Sequence, residues 1–202
     1  IGGCFYRYVP DDVRADEDDQ EEGDERSRRR RPRKLSETTG RLQALRLRVE
    51  WHANMEIGRV AGEPYPVEWV DVPEADHNDD TDNRRDRVPG FTPTRIQAQD
   101  RGAAYFEKME GIWAEPRGLS DRDEPRRAAR VYFACSDGGA IDMGAVWEYD
   151  PGRETLTMIY ESVDPARLEH PDNVVIVPQT GDVFLQEDGD GDVALAKFVD
   201  EL

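Results

Sequence analysis

The sequence predicts an all-β fold, because many short apolar segments alternate with tight turns and little of the chain has a helical pattern. Several segments, such as residues 145–149, alternate apolar and polar side chains as half-buried strands do. Asp-Gly, Gly-Gly, Asp-Pro-Gly and Thr-Gly-Asp turns lie between them and supply the φ angles that tight reversals need. A sandwich, a barrel or a propeller fits this pattern, and the strand pairs after about residue 130 favour propeller blades.

Nine strands are predicted in chain order, each at a run of apolar residues bounded by turn residues. They cover residues 5–9, 42–49, 67–72, 131–135, 145–149, 156–160, 174–178, 183–186 and 194–198. Residues 94–110 are predicted as a helical stretch from a weaker apolar periodicity.

A charged insertion is predicted between the first two strands. Residues 11–37 hold 11 acidic and 8 basic residues, arranged as an acidic block followed by a basic one. Such a segment buries too little apolar surface to offset its ordering entropy, so we expect residues 11–39 to be disordered. The predicted organisation is therefore a propeller strand at 1–10, this insertion, and a partial β-propeller at 40–202.

The charge and composition of the chain exclude several classes of protein. The 202 residues carry a formal charge of -18, which argues against a nucleic-acid partner because phosphate backbones need basic surface. The basic run at 28–33 does not change this, since the neighbouring acidic block neutralises it. No run approaches the roughly 18 apolar residues of a membrane helix, so membrane insertion is not expected. Two cysteines are too few for a disulfide scaffold or a Cys4 zinc site.

Carboxylates beside turns are the most informative candidates for chemistry. A nucleophile elbow, a phosphate-binding glycine loop and a His-Glu-x-x-His motif are all missing from the sequence, and the three histidines are scattered. Glu110, Asp172 and Glu187 each lie next to a predicted strand or a glycine. Carboxylates at strand ends can converge on Ca²⁺ or another hard cation. From spacing alone, ordinary turn residues are the favoured interpretation.

Six motifs in a fixed order make the sequence more specific. They are AAYFEKMEGIW at 103–113, VYFACSDGG at 131–139, GAVWEYDP at 144–151, LTMIYES at 156–162, HPDNV at 170–174 and FLQEDG at 184–189. This order resembles the PhoX-like alkaline phosphatase family, including its uncharacterised bacterial branch, and GCFYRYVP at 3–10 is similar to an earlier strand of that family. The resemblance covers most of the chain except the insertion and residues 74–93.

The resemblance implies a β-propeller with a centre of calcium and iron that hydrolyses phosphate monoesters. Glu110 matches a metal-binding glutamate of the family, Asp172 a second ligand in a Pro-Asp-Asn motif, and Glu187 a third in a Glu-Asp-Gly motif. Asn173 and Asp188 are then supporting residues beside Asp172 and Glu187. The metals would polarise the phosphoryl oxygen and supply a nucleophile near neutral pH.

Lys108 falls where the family has a phosphate-binding arginine. Lysine keeps the positive charge but loses the bidentate fork of arginine, so the substitution weakens the expected clamp on phosphate. The implied partner is a small phosphorylated substrate, and the implied location is periplasmic or extracellular.

The chain is expected to be a fragment of a larger ring. It begins Ile1-Gly2-Gly3, and its folded part supplies about three to four blades of roughly 40–50 residues each. Too few blades to close a ring leave exposed sheet edges, so we expect the full-length protein to be the enzyme and this stretch alone to be inactive.

Two alternatives to the phosphatase stay open. The first is a non-catalytic propeller of the uncharacterised branch that uses its carboxylates to bind calcium, and the lysine at position 108 favours it slightly. The second is a propeller lactonase-type hydrolase, which would use one divalent metal.

Overall fold

A computed structural model describes residues 2–11, 39–74, 92–115, 129–177, 180, 182–187 and the backbone of 195–198. Within these ranges the chain forms ten strands and one short helix. The elements are β1 (Tyr6–Pro10), β2 (Gly40–Leu47), β3 (Pro64–Val72), α1 (Thr94–Gln99), β4 (Met109–Ala114), β5 (Val131–Cys135), β6 (Ala145–Asp150), β7 (Thr155–Glu161), β8 (Pro171–Ile176), β9 (Val183–Glu187) and β10 (Leu195–Phe198).

The strands follow one another as three antiparallel meanders. The first contains β1 to β3, the second β4 to β7 and the third β8 to β10. The beginning of β3 also pairs with β7, which joins the first two meanders into a curled seven-stranded sheet of order β1-β2-β3-β7-β6-β5-β4. The prediction of an all-β fold that forms part of a β-propeller is confirmed.

The middle strands of the second meander are buried on both faces. Phe133 of β5 and Trp147 of β6 pack into a core shared with the first meander. Their neighbours Tyr132 and Val146 point to the opposite face and pack against buried side chains of the third meander, among them Val174. Because successive strand residues alternate between faces, these two cores stack the meanders face to face as blades.

All nine predicted strands are present, with ends shifted by up to three residues. The prediction of a helical stretch over residues 94–110 is wrong beyond its first turns, because α1 ends at Gln99 and residues 109–114 form β4. A glycine and an irregular pairing interrupt β4, so the period-two pattern that identifies a strand is short there.

The predicted insertion leaves and rejoins the fold at one point. Pro10 pairs with Gly40 at the end of the β1–β2 hairpin, and the amide of Asp11 donates to the carbonyl of Thr39 at 2.8 Å. Residues 12–38, on which the prediction of disorder falls, lie outside the described residues. No helix in the described ranges is both long and apolar enough to cross a membrane.

Candidate metal and phosphate site

Two predicted ligands lie in β-bulges at the starts of their strands. Between Met109 and Ile112 the pairing of β4 with β5 slips, so Glu110 falls within an irregular step of the ladder. The same happens to Asp172 in β8, where Pro171 and Asn173 are opposite consecutive residues of β9. A bulge leaves its extra residue unpaired and changes the direction of its side chain, which is why bulges are frequent beside active sites.

The beginnings of β4 and β8 lie side by side. A Cβ atom added to Gly111 would stand 2.6 Å from the Cα atom of Asn173, so the two backbones are in close contact there. One residue, Asp137, contacts both Lys108, just before β4, and His170, just before β8. Residue 108 is thus near residue 170, and residue 111 is near residue 173. The offset is 62 residues in both pairs, so moving forward along one strand also moves forward along the other. The two strands therefore run in the same direction.

This alignment makes Glu110 and Asp172 equivalent positions of neighbouring strands. Glu110 is exposed and Asp172 is half-buried. Among the described residues, neither carboxylate takes part in a hydrogen bond or an ion pair. Two carboxylates that are unpaired within the described ranges, on strands whose beginnings are in contact, have the hard oxygen chemistry that Ca²⁺ prefers.

Glu187 lies at the same end of the sheet but is already engaged. It ends β9 opposite Pro171, the first residue of β8, and its Oε1 accepts a hydrogen bond of 2.8 Å from the amide of Glu169. One carboxylate oxygen thus closes the loop before β8, which agrees with a turn role. Asn173 uses its Oδ1 to accept from the amide of Val174 at 2.9 Å.

Lys108 is held by a carboxylate that the sequence analysis did not single out. Its Nζ lies 2.7 Å from Oδ2 of Asp137, whose side chain is only 15% exposed against 61% for the lysine. The hydrogen bond and the negative charge of Asp137 raise the pKa of Lys108, so the lysine is a cation at neutral pH. An ammonium carries three donor hydrogens, and this contact leaves two of them for a further anion.

The charge of Glu110 also acts on Cys135, a buried thiol of β5. The pKa of the Cys135 thiol is raised by burial first, and then by the negative charges of Glu110 and Glu56. Cys4 and Cys135 are both buried free thiols, as expected for small apolar residues in strands. Glu110 therefore stands close enough to β5 for its charge to act on the Cys135 thiol.

The described ranges contain no group of three or more His, Cys, Asp or Glu side chains arranged to hold a metal ion. The assignment of Glu110, Asp172 and Glu187 as ligands therefore stays a prediction. Asp188, the second supporting residue, and His77 lie outside the described residues. His52 is exposed.

Comparison with known proteins identifies the group to which these motifs belong. The family model described as Alkaline phosphatase PhoX matches residues 2–197, nearly the whole chain. The chain belongs to the PhoX alkaline phosphatase family. This is a family of metal-dependent phosphatases, and membership gives the lactonase alternative no support. No significant match was found among curated proteins or solved structures.

Two residues of the candidate site, Asp137 and His170, were identified only from the structure. Asp137 lies in a Ser-Asp-Gly-Gly turn and His170 precedes Pro171, and neither was a candidate from sequence. Both are non-repetitive turn positions whose partners come from other strands, so local spacing does not reveal them. The one available signal was their presence inside the motifs 131–139 and 170–174.

Proposed function

We propose that the full-length protein hydrolyses phosphate monoesters with a calcium and iron centre, and that Glu110 and Asp172 contribute ligands to it. The observation that carries the proposal is the pair of bulges that sets these two carboxylates at equivalent positions of adjacent strands. Family membership supplies the reaction class, and the donor chemistry fits hard cations. Glu187 is a third ligand through its Oε2, because its Oε1 is occupied.

The side chains of this site divide the work on a phosphate monoester. Metal ions held by Glu110 and Asp172 would supply Lewis acidity toward the phosphoryl oxygens and a source of nucleophilic water. Glu110 and Asp172 supply the negative charge that holds these cations on two rigid strand ends. Lys108 directs its two remaining N–H donors at a phosphate oxygen and offsets part of the dianion's charge. Its single cationic point orients the phosphate less strictly than an arginine fork.

The test is phosphatase activity of the full-length protein on p-nitrophenyl phosphate. Activity should depend on added Ca²⁺ and disappear after chelation. Glu110→Gln and Asp172→Asn should each lower kcat/KM by about 10–100-fold or more, since even residues that only support a metal ligand have effects of that size. Glu115→Gln is the matched control, because Glu115 follows the last residue of β4 at the opposite end of that strand.

Activity that survives chelation and both substitutions would make the metal assignment wrong. A non-catalytic calcium-binding propeller is the second candidate, and the ion pair of Lys108 with Asp137 favours it, since a paired lysine is a weaker phosphate site. That protein would bind Ca²⁺ through Glu110 and Asp172 and would lack phosphatase activity. The periplasmic or extracellular location stays a prediction from the resemblance.

A further inference from the structure

The turn at Ser136 and Asp137 touches the residues that precede both bulged strands. The Ser136 amide donates to the carbonyl of Lys108 at 3.0 Å, and its carbonyl lies 2.7 Å from Nδ1 of His170. The next residue, Asp137, uses one carboxylate oxygen on each side, with Oδ2 at 2.7 Å from Lys108 Nζ and Oδ1 at 3.4 Å from His170 Nδ1. The backbone and a side chain of one short turn thus contact the residues that immediately precede β4 and β8.

Lys108 and His170 share an unusual backbone conformation. Their φ angles are 38° and 46°, in the left-handed region that residues with a side chain seldom adopt. Such residues persist where surrounding contacts hold them. Each stands two positions before a predicted ligand, so its backbone direction sets where the following bulge begins. The Ser136–Asp137 turn provides the contacts that hold both.

We propose that Asp137 is a positioning residue, which holds the starts of β4 and β8 together and thereby sets Glu110 against Asp172. It acts through Lys108 and His170 and does not itself ligate a metal. The effect of Asp137 on metal binding rests on the proposed function. The role of Asp137 in aligning β4 with β8 does not depend on any metal, and it is tested separately.

The metal-free test measures how β4 lies relative to β8. Nitroxide labels on Ile112→Cys and Val175→Cys, two exposed positions on these strands, report their separation through dipolar broadening of the electron paramagnetic resonance spectrum. The native thiols Cys4 and Cys135 are buried and should not label in the folded protein. Asp137→Ala should change the broadening. If the alanine variant does not fold, Asp137→Asn, which keeps the side-chain shape but removes the charge, replaces it and should also change the broadening.

Glu148→Gln is the matched control for both parts of the test. Glu148 pairs with Arg130 at 2.8 Å and is as little exposed as Asp137, but its contact lies within the second meander, between β6 and the residue before β5. It should leave the broadening unchanged. An unchanged spectrum in the Asp137 variant, or an equal change in the Glu148 variant, would overturn the proposal.

The metal-dependent test is calorimetric titration of the full-length protein with Ca²⁺ alone. Asp137→Ala should raise the Ca²⁺ dissociation constant about 10–100-fold, as loss of a residue that orients a ligand does, and Glu148→Gln should leave it unchanged. Wild-type affinity in the Asp137 variant refutes the positioning of the ligands. If the wild type itself binds no Ca²⁺ while the spectra change as expected, the proposed metal site is wrong and the alignment role of Asp137 stands.

Discussion

Replacing Gly111 by alanine tests the close contact between β4 and β8 on which the proposed shared site depends. The new Cβ would lie 2.6 Å from the Cα of Asn173, where ordinary contact begins at 3.4 Å, and still closer to the Oδ1 of Asn173. The backbone of Asn173 is held by the pairing of β8 with β9 and cannot rotate away, so β4 and β8 must separate by about 0.8 Å. Overpacking of this kind costs about 1–3 kcal/mol, and we expect the free energy of unfolding to fall by that amount.

Urea unfolding followed by tryptophan fluorescence measures the change, with Gly3→Ala as the control. A Cβ on Gly3 meets only Met109 Sδ at 3.9 Å, so that variant should stay within about 0.5 kcal/mol of wild type. Adding Asn173→Ala to Gly111→Ala removes the side-chain part of the overlap and should restore part of the loss. A Gly111→Ala variant as stable as the control would refute the contact and, with it, the placement of Glu110 beside Asp172.

Three further predictions concern single groups in the fold. Burial and then the charge of Glu107 raise the pKa of Glu56 above its ordinary value of 4.5, so folding favours its protonated form and stability falls as the pH rises from 4.5 through the raised pKa. Urea unfolding at several pH values should therefore find Glu56→Gln more stable than wild type at pH 7, with the difference lost below pH 4.5. Trp147 is fully buried and its Nε1–H has no partner in the described part of the chain, so Trp147→Phe should cost much less than the roughly 3–5 kcal/mol of Trp147→Ala in thermal unfolding. Burial also raises the pKa of the Cys4 and Cys135 thiols, so a disulfide reagent should react with them only after denaturant is added; rapid reaction in the native state would contradict their placement in the core.

The strands were predictable because their residues alternate or cluster as buried strands do. The run at 131–135 gave the bounds of β5 correctly, and it is buried on both faces. β4 was missed because its distinguishing features, Gly111 and the bulge at Glu110, are the ones that break the alternation. The features that obscure a strand are here the ones that shape the candidate site.

The candidate site was predictable only as a set of positions. The motifs identified Glu110 and Asp172, but their alignment depends on a contact between Gly111 and Asn173 that no local pattern encodes. Asp137 was missed for the same reason, since an Asp-Gly-Gly sequence is an ordinary turn until its two partners are known. Long-range packing decides which turn carboxylate has a second role.

The bulge of β4 and the contact of Asp137 with Lys108 both lie at the beginning of β4, so residues at its other end can be altered without touching them. Ala114 is four residues from Glu110, roughly 13 Å along an extended strand. There the amide of Glu115 donates to the carbonyl of Arg130 at 2.8 Å, so the chain departs and returns at one place. A reporter domain inserted between residues 115 and 129 would therefore be attached at a distance from Glu110, and a fusion at this position should leave the proposed cation site unchanged.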